Sequence, residues 1–395
     1  MVDMQEFDQA ADRFSALTRA VRSGIDTDPA NGAVVPPINL STNYSFTGYA
    51  EPRGYDYSRA GNPTRQVFAD AITALEGGSG TVITSSGLSA VTTAVLSVVT
   101  AGARVAIPHD AYGGTWRLFD NLARRGYCEL HTVDFTAADT AAARLAELQP
   151  DLVFLETPSN PLLRITDLTR MSAAAHAAGA LVVADNTFCS PLLQQPLSLG
   201  ADLVLHSTTK YINGHSDMVG GSLTAATPQL AEEISYFANV YGCTGGAFDA
   251  YLGMRGLRTL HTRMRAHQEN AAAVVEVLLA HPAVRAVYYP GLPEHPGHEL
   301  AARQQSGFGA MVSFELAGVA EVKQLLPALH CFTLAESLGG TESLISHTAT
   351  MTHAGMTEEA RKEAGITDGL LRLSVGIEAT EDLVDDLRTA LDAVI

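Results

Sequence analysis

The chain has 395 residues, 46% hydrophobic and 17% charged, enough apolar material for two or three folded units and too much for a disordered chain. With 25 Lys+Arg against 43 Asp+Glu, the formal net charge of −18 excludes the basic footprint that general binders of nucleic acid or anionic membrane need. No stretch approaches the ~20 uninterrupted apolar residues of a membrane span, and the acidic start (Asp3, Glu6, Asp8) lacks the basic-then-apolar order of a signal peptide.

Residues 1–60 read as irregular. Pro36-Pro37, Gly48, Pro52 and Gly54 punctuate them, as do Gly61 and Pro63 just beyond, with Tyr44, Phe46, Tyr49, Tyr55 and Tyr57 interleaved. A segment this long without regular structure is expected to be functional or wrapped on a partner. From Gly80 onward, apolar runs at 81–84, 104–107, 130–133, 152–155, 180–184 and 202–205 read as strands. Helical stretches at 88–101, 115–125, 137–148 and 168–178 separate most of them. Repeated βα units predict a mainly parallel sheet with right-handed crossovers. Beyond about residue 255 the rhythm changes. A long helix at 259–280 is followed by strands at 284–288, 310–315 and 370–375, a helix near 319–329 and a closing helix at 380–394. The expected division is an N-terminal arm (1–60), a large α/β domain (61–255) and a smaller C-terminal α/β domain (256–395).

The four cysteines, Cys128, Cys189, Cys243 and Cys331, are far apart and form no CxxC, so a reducing cytoplasm is expected and a zinc site is not. Only three of the 25 basic residues are lysines. Lys323 and Lys362 sit in polar helical stretches, whereas Lys210 follows an apolar strand in DLVLHSTTKY. A lysine beside a buried strand is costly unless it has a partner or a task.

In an open parallel sheet, ligands gather at the carboxyl ends of the strands. Four ends carry polar groups here: Thr84-Ser85-Ser86-Gly87-Leu88 before a helix, Glu156-Thr157-Pro158-Ser159-Asn160, Asp185-Asn186-Thr187, and Ser207-Thr208-Thr209-Lys210. Singly these are ordinary caps, turns and a Pro-bounded loop. Together they set an anion cradle, a carboxylate and a solitary lysine along one sheet edge. That set suits pyridoxal 5'-phosphate (PLP): a lysine for the Schiff base, a carboxylate for the pyridine nitrogen, and hydroxyls with backbone N–H groups for the phosphate. There is no GxxxxGK[ST], no GxGxxG after a strand and no HExxH. His347 and His353, in SHTATMTH, are too weakly patterned to serve as metal ligands, and no metal is expected.

At these residues the chain resembles the transsulfuration, or Cys/Met-metabolism, family of fold-type-I PLP enzymes. The likeness runs from AVRSG to RLSVGIE through YDYSRAGNPTR, SSGLSA, HDAYGGTWRLFD, ETPSNPL, DNTF, HSTTKYINGHSD, TGGAFDAYLGMRGLRTL, ESLGGTESLISH and MTHAG. The resemblance implies a fold-type-I transferase and assigns roles by position. Lys210 matches the Schiff-base lysine and proton shuttle, Asp185 the pyridinium partner, and Tyr112 the aromatic stacked on the cofactor ring. Gly87 and Leu88 with Ser207 and Thr209 match the phosphate cradle. Tyr57 and Arg59 match phosphate contacts delivered from a neighbouring subunit, so a homotetramer built of catalytic dimers is implied. Arg372 matches the guanidinium that pairs with the substrate carboxylate, assisted by Ser337 and Asn160. Asp56, Arg117 and Glu336 match residues around the γ-substituent.

Within the family the chain most resembles the bacterial γ-synthases, which replace the acyl group of an O-acylhomoserine with cysteine. Methionine γ-lyases usually carry cysteine where this chain has Gly114, and β-lyases an aromatic where it has Leu338. Cystathionine γ-lyases share SLGG and the arginine matching Arg117, and stand as the alternative with the O-acylhomoserine sulfhydrylases. A catalytically inactive binding subunit is the non-enzyme alternative, against which stand Lys210, Asp185, Tyr112 and Arg372. Succinyl-homoserine users of enterobacteria tend to have a second arginine at the position of Ala60, so the preferred acyl group stays open.

Overall fold

The computed structural model describes residues 14–354 and 358–394. Seven strands form the larger sheet: β1 (Gly80–Thr84), β2 (Ala103–Pro108), β3 (Cys128–Val133), β4 (Leu152–Glu156), β5 (Leu181–Asp185), β6 (Leu203–His206) and β7 (Gly221–Ala225). Their order is β1-β7-β6-β5-β4-β2-β3. Strands β2 to β6 run parallel, and β7 pairs antiparallel with both β6 and β1. The six runs read from the sequence are β1 to β6. β7 was not expected: its sequence GSLTA is small and polar, yet every residue of it is buried.

The sheet is covered on both faces, so its parallel strands read as continuous apolar runs. Val105, Ile107, Leu152, Phe154, Val183, Leu203 and Leu205 face the helices Gly87–Val98 and Gly113–Arg124. Ala106, Val153, Leu155, Val182, Ala184 and Val204 face the helices Ala138–Leu148 and Leu168–Ala177. β3 lies outside β2 while β4 lies inside it. The direction of winding therefore reverses between β2 and β4, and a crevice opens at their carboxyl ends.

The second sheet comprises β8 (Ala286–Tyr288), β9 (Met311–Glu315), β10 (Thr333–Leu334), β11 (Leu344–His347) and β12 (Leu370–Ser374), in the order β10-β11-β12-β9-β8. Its pairs are antiparallel except β10 with β11. Two helices, Leu260–Ala280 and Thr380–Asp392, back this sheet, the second through Leu383, Leu387, Ala390 and Leu391 on one face. β10 and β11 escaped the sequence reading because they are short and bounded by Gly339-Gly340 and polar residues.

The amino-terminal segment is not wholly irregular. Helix Ala16–Arg22 packs its Ala20 against Phe68 and Ile72. From there to residue 62 the only pairings among the described residues are the bridges Asn43 with Tyr57 and Gly48 with Glu51. Pro63, which reads as punctuation, opens the helix Pro63–Glu76: Asn62 caps it by accepting the Arg65 N–H at 3.1 Å, and proline suits the first helical position. Two further helices, Pro228–Tyr241 and Ala247–Leu257, were also missed. No helix among the described residues is long and apolar enough to cross a membrane.

Candidate active site

A cavity of about 480 Å³ lies where the carboxyl ends of the large sheet meet the second sheet. Gly87, Leu88, Tyr112, Arg117, Asn160, Asp185, Ser207, Thr209, Lys210, Glu336, Ser337 and Arg372, all singled out from the sequence, line it together. Ser86, Glu156 and Thr187, from the polar strand ends already noted, line it as well, and so do Met351 and Thr352, to which the sequence gives no role. Asp56, Tyr57 and Arg59 do not. Asp56 Oδ1 accepts the Tyr57 N–H at 2.6 Å, and Arg59 lies over the Tyr57 ring and borders a separate cleft of about 60 Å³.

Lys210 stands four residues beyond β6, in a turn closed by its own N–H donating to the Ser207 carbonyl at 3.1 Å. Just after it, the buried Arg263 guanidinium grips the carbonyls of Tyr211 at 2.7 Å and Ile212 at 3.2 Å. The Lys210 Nζ donates to Ser337 Oγ at 2.6 Å. Burial, then the nearby Arg372 cation, lowers its pKa to about 8, with Glu336 opposing. The ammonium therefore gives up its proton far more readily than a surface lysine.

Asp185 closes β5 and is raised by burial, a shift opposed by contacts from Thr187. Its Oδ1 accepts the Thr187 N–H at 3.0 Å and the Thr187 hydroxyl at 2.5 Å. Thr187 Oγ1 in turn accepts the Ser207 N–H at 2.9 Å. Thr187 thus joins the ends of β5 and β6. Its signal was legible in DNTF, where a hydroxyl two residues after an aspartate closes a local turn.

At the start of helix Gly87–Val98, Ser86 Oγ takes the Ser89 N–H at 3.0 Å. The N–H groups of Gly87 and Leu88 are among those that have no acceptor within the helix, and both residues border the cavity. Close approach requires the glycine, since a Cβ on Gly87 would stand 2.7 Å from Ser207 Cβ. The Thr209 hydroxyl is engaged with Gly220, donating to its carbonyl at 3.1 Å and accepting its N–H at 2.9 Å.

Tyr112 precedes helix Gly113–Arg124, and its side chain is 44% exposed. A Cβ at Gly114 would come within 2.5 Å of its ring. A cysteine there, as in the methionine γ-lyases, would require the ring to move. Arg372, on β12, is buried and still cationic, its pKa lowered by burial to about 10. One terminal nitrogen donates to Asn160 Oδ1 at 2.9 Å and the other to the Ser337 carbonyl at 2.8 Å, and Nε has no partner among the described residues. Ser337 makes both contacts from a left-handed backbone, φ 88°, unusual for a residue with a side chain. It thereby serves Lys210 through its hydroxyl and Arg372 through its carbonyl.

These residues fit PLP. A helix start with hydroxyls suits a phosphate, Asp185 a protonated ring nitrogen, Lys210 an aldehyde, and the partnerless Arg372 Nε a substrate carboxylate. Among the described residues no cluster of His, Cys, Asp and Glu is suited to a metal ion. The profile of the family "Cys/Met metabolism PLP-dependent enzyme" matches residues 17–392. The chain belongs to this family.

Among members of the Cys/Met metabolism family, cystathionine gamma-synthase of Escherichia coli (strain K12) is 55% identical over 377 residues, covering 95% of this chain and 97% of that protein. Cystathionine beta-lyase of Lactococcus lactis subsp. cremoris (strain MG1363) is 47% identical, covering 96% and 99%. The crystal structure of cystathionine gamma synthase from Xanthomonas oryzae pv. oryzae in complex with cystathionine superposes with a TM-score of 0.95 at 57% identity, covering 96% of this chain and 98% of that one. The fold is accordingly that of a fold-type-I PLP enzyme, with a large, mostly parallel sheet and a smaller second sheet.

Proposed function

We propose that the protein is a PLP-dependent γ-replacement enzyme that joins an O-acylhomoserine, with O-succinylhomoserine preferred, to L-cysteine, giving L-cystathionine and the free carboxylate. The observation that carries this reading is Ser337 joining Lys210 and Arg372 in one cavity, with Arg117 and Glu336 on its wall. It puts a proton-transfer group beside a carboxylate anchor, with a charged region left for the distal end of the substrate. The likeness to γ-synthases at 55% and 57% identity supports the choice of reaction.

PLP, when bound, supplies an electron sink that stabilises negative charge at the substrate's Cα. The chain's own residues do the rest. Arg372, held by Asn160 and Ser337, fixes the substrate carboxylate and so aims the Cα–H bond. Lys210 Nζ takes the Cα proton and returns a proton there at the end. Asp185, held by Thr187, would keep the ring nitrogen protonated. Loss of a Cβ proton lets the acyl carboxylate leave Cγ, the cysteine thiolate then forms the new C–S bond at Cγ, and Cβ regains a proton before Cα does. Tyr112 stacks on the ring, and Arg117 meets the distal succinyl carboxylate. Glu336 meets the amine of the incoming cysteine.

In the assembled protein, Tyr57 and Arg59 reach the phosphate of a neighbouring subunit, and Asp56 reaches its acyl pocket. Their absence from this chain's own cavity supports that reading, as does a 47% exposed Tyr57. The assembly proposed is a cytoplasmic homotetramer of two catalytic dimers, the N-terminal arm completing the neighbour's site.

The test is chemical labelling. Borohydride reduction of the purified protein followed by peptide mapping is expected to fix the cofactor on Lys210, with loss of its visible absorbance band. Label on Lys323 or Lys362 would overturn the assignment.

A further inference from the structure

Glu156 ends β4 and faces Asp185 across the parallel pair β4–β5. The reaction above gives it no task. Its side chain is buried yet borders the cavity. Oε2 accepts the backbone N–H of Tyr112 at 2.9 Å, and Oε1 accepts that of Asn160 at 3.3 Å. Those two donors sit on different loops, one after β2 and one after β4, on either side of the point where the sheet's winding reverses. Tyr112 opens helix Gly113–Arg124 with no side-chain cap of its own. Asn160 holds Arg372 through Oδ1 at 2.9 Å. One carboxyl group therefore ties the ring-stacking residue to the holder of the carboxylate anchor.

The placement is costly for stability. Burial, and then the neighbouring Asp185, push the Glu156 carboxyl well above the usual carboxylate range, against the two N–H contacts. A helix start could be capped by a small polar residue without setting two carboxyl groups side by side. The expense is explained if the span between the two loops matters.

We propose that Glu156 is a positioning residue whose two oxygens fix, through backbone contacts, the stance of the Tyr112 ring over the cofactor and of Asn160 behind Arg372. The inference rests on the proposed function, and its test is built so that the two can fail separately.

Glu156→Gln keeps the size but points an amide N–H₂ at one of the two N–H donors, so one contact is lost. A net hydrogen bond is worth about fivefold in an equilibrium constant. The circular dichroism of the bound cofactor, which reports how the ring is held, is expected to weaken. KM for O-succinylhomoserine is expected to rise about fivefold with a smaller change in kcat. In a Tyr112→Ala background, Glu156→Gln should leave the dichroism unchanged. Glu156→Asp, one methylene too short to span both donors, should reproduce the Gln phenotype, and carries the test alone if Gln does not fold. A purely structural Glu156 would lower the melting temperature and leave dichroism and KM as in the wild type, which overturns the proposal. Persistence of the dichroism change in the Tyr112→Ala background would overturn it too. A wild-type protein without a cofactor band would instead sink the proposed function.

Discussion

Arg372→Lys is the sharpest perturbation of the substrate anchor. The guanidinium is buried, and two of its nitrogens are already committed, to Asn160 Oδ1 at 2.9 Å and to the Ser337 carbonyl at 2.8 Å. Lysine keeps the charge but presents one nitrogen on a flexible stem. It cannot hold Asn160, hold Ser337 and also offer a planar pair of donors to a carboxylate. At least one charge-assisted hydrogen bond to the substrate is lost, about 1.5–3 kcal/mol, or roughly one to two orders of magnitude in kcat/KM. The assay is kcat/KM for O-succinylhomoserine with cysteine saturating. Because the anchor also aims the Cα–H bond, kcat should fall as well as KM rise. Cofactor absorbance should be retained, since Arg372 is assigned to the substrate. A loss below about threefold would refute the assignment of Arg372 as the carboxylate anchor.

Arg117→Leu should reduce kcat/KM for O-succinylhomoserine about tenfold more than for O-acetylhomoserine, because only the succinyl group offers a distal carboxylate; equal losses would make Arg117 a structural residue. In cofactor-free protein, Lys210 has a folded-state pKa of about 8 against an ordinary value of 10.5. The unfolded chain then binds more protons across that window, so stability should rise with pH between the two values, and the penalty for burying the ammonium is fully present below the lower one. Urea unfolding should show Lys210→Met to be the more stable at about pH 7, with the gap to wild type narrowing by about pH 10; a gap independent of pH would contradict the shift. Lys210→Ala and Arg59→Ala, each nearly inactive alone, should regain activity when mixed and reassembled, since both lesions can fall on one shared site. Hybrids confirmed by native mass spectrometry and still inactive would place Arg59 in its own subunit's chemistry.

What the sequence made legible follows from where burial is continuous. β2, β4, β5 and β6 are largely apolar runs buried on both faces and read as strands, whereas β1 and β3, at the two edges of the sheet, are only partly buried and read from shorter apolar runs. GSLTA does not read as a strand, because β7 is buried through small residues: a Cβ on Gly221 would meet the Ser86 carbonyl oxygen at 2.2 Å. Close packing there excludes the side chains that would have marked a strand. Pro63 reads as a break because proline marks both turns and helix starts, and only the capping side chain of Asn62 distinguishes them. The site was legible because its polar residues follow strand ends directly, as at Asp185 and Lys210. Arg372 and Ser337 lie far along the chain from both, and only the family resemblance brought them forward. Glu156 is visible as a letter in ETPSNPL, but its partners are backbone N–H groups, which a sequence does not display; DNTF shows the local turn of Thr187 with Asp185 but not its contact with the Ser207 N–H. Arg263 escaped for a similar reason, since it pairs with carbonyls and not with a carboxylate.

Product analysis tests the central claim most directly. Purified protein is given O-succinylhomoserine with and without cysteine, and separately cystathionine, and the products are quantified by mass spectrometry. The account predicts cystathionine as the main product when cysteine is present, and a 2-oxo acid with ammonia when it is absent. Faster cleavage of cystathionine than its formation would contradict the account and make the protein a lyase.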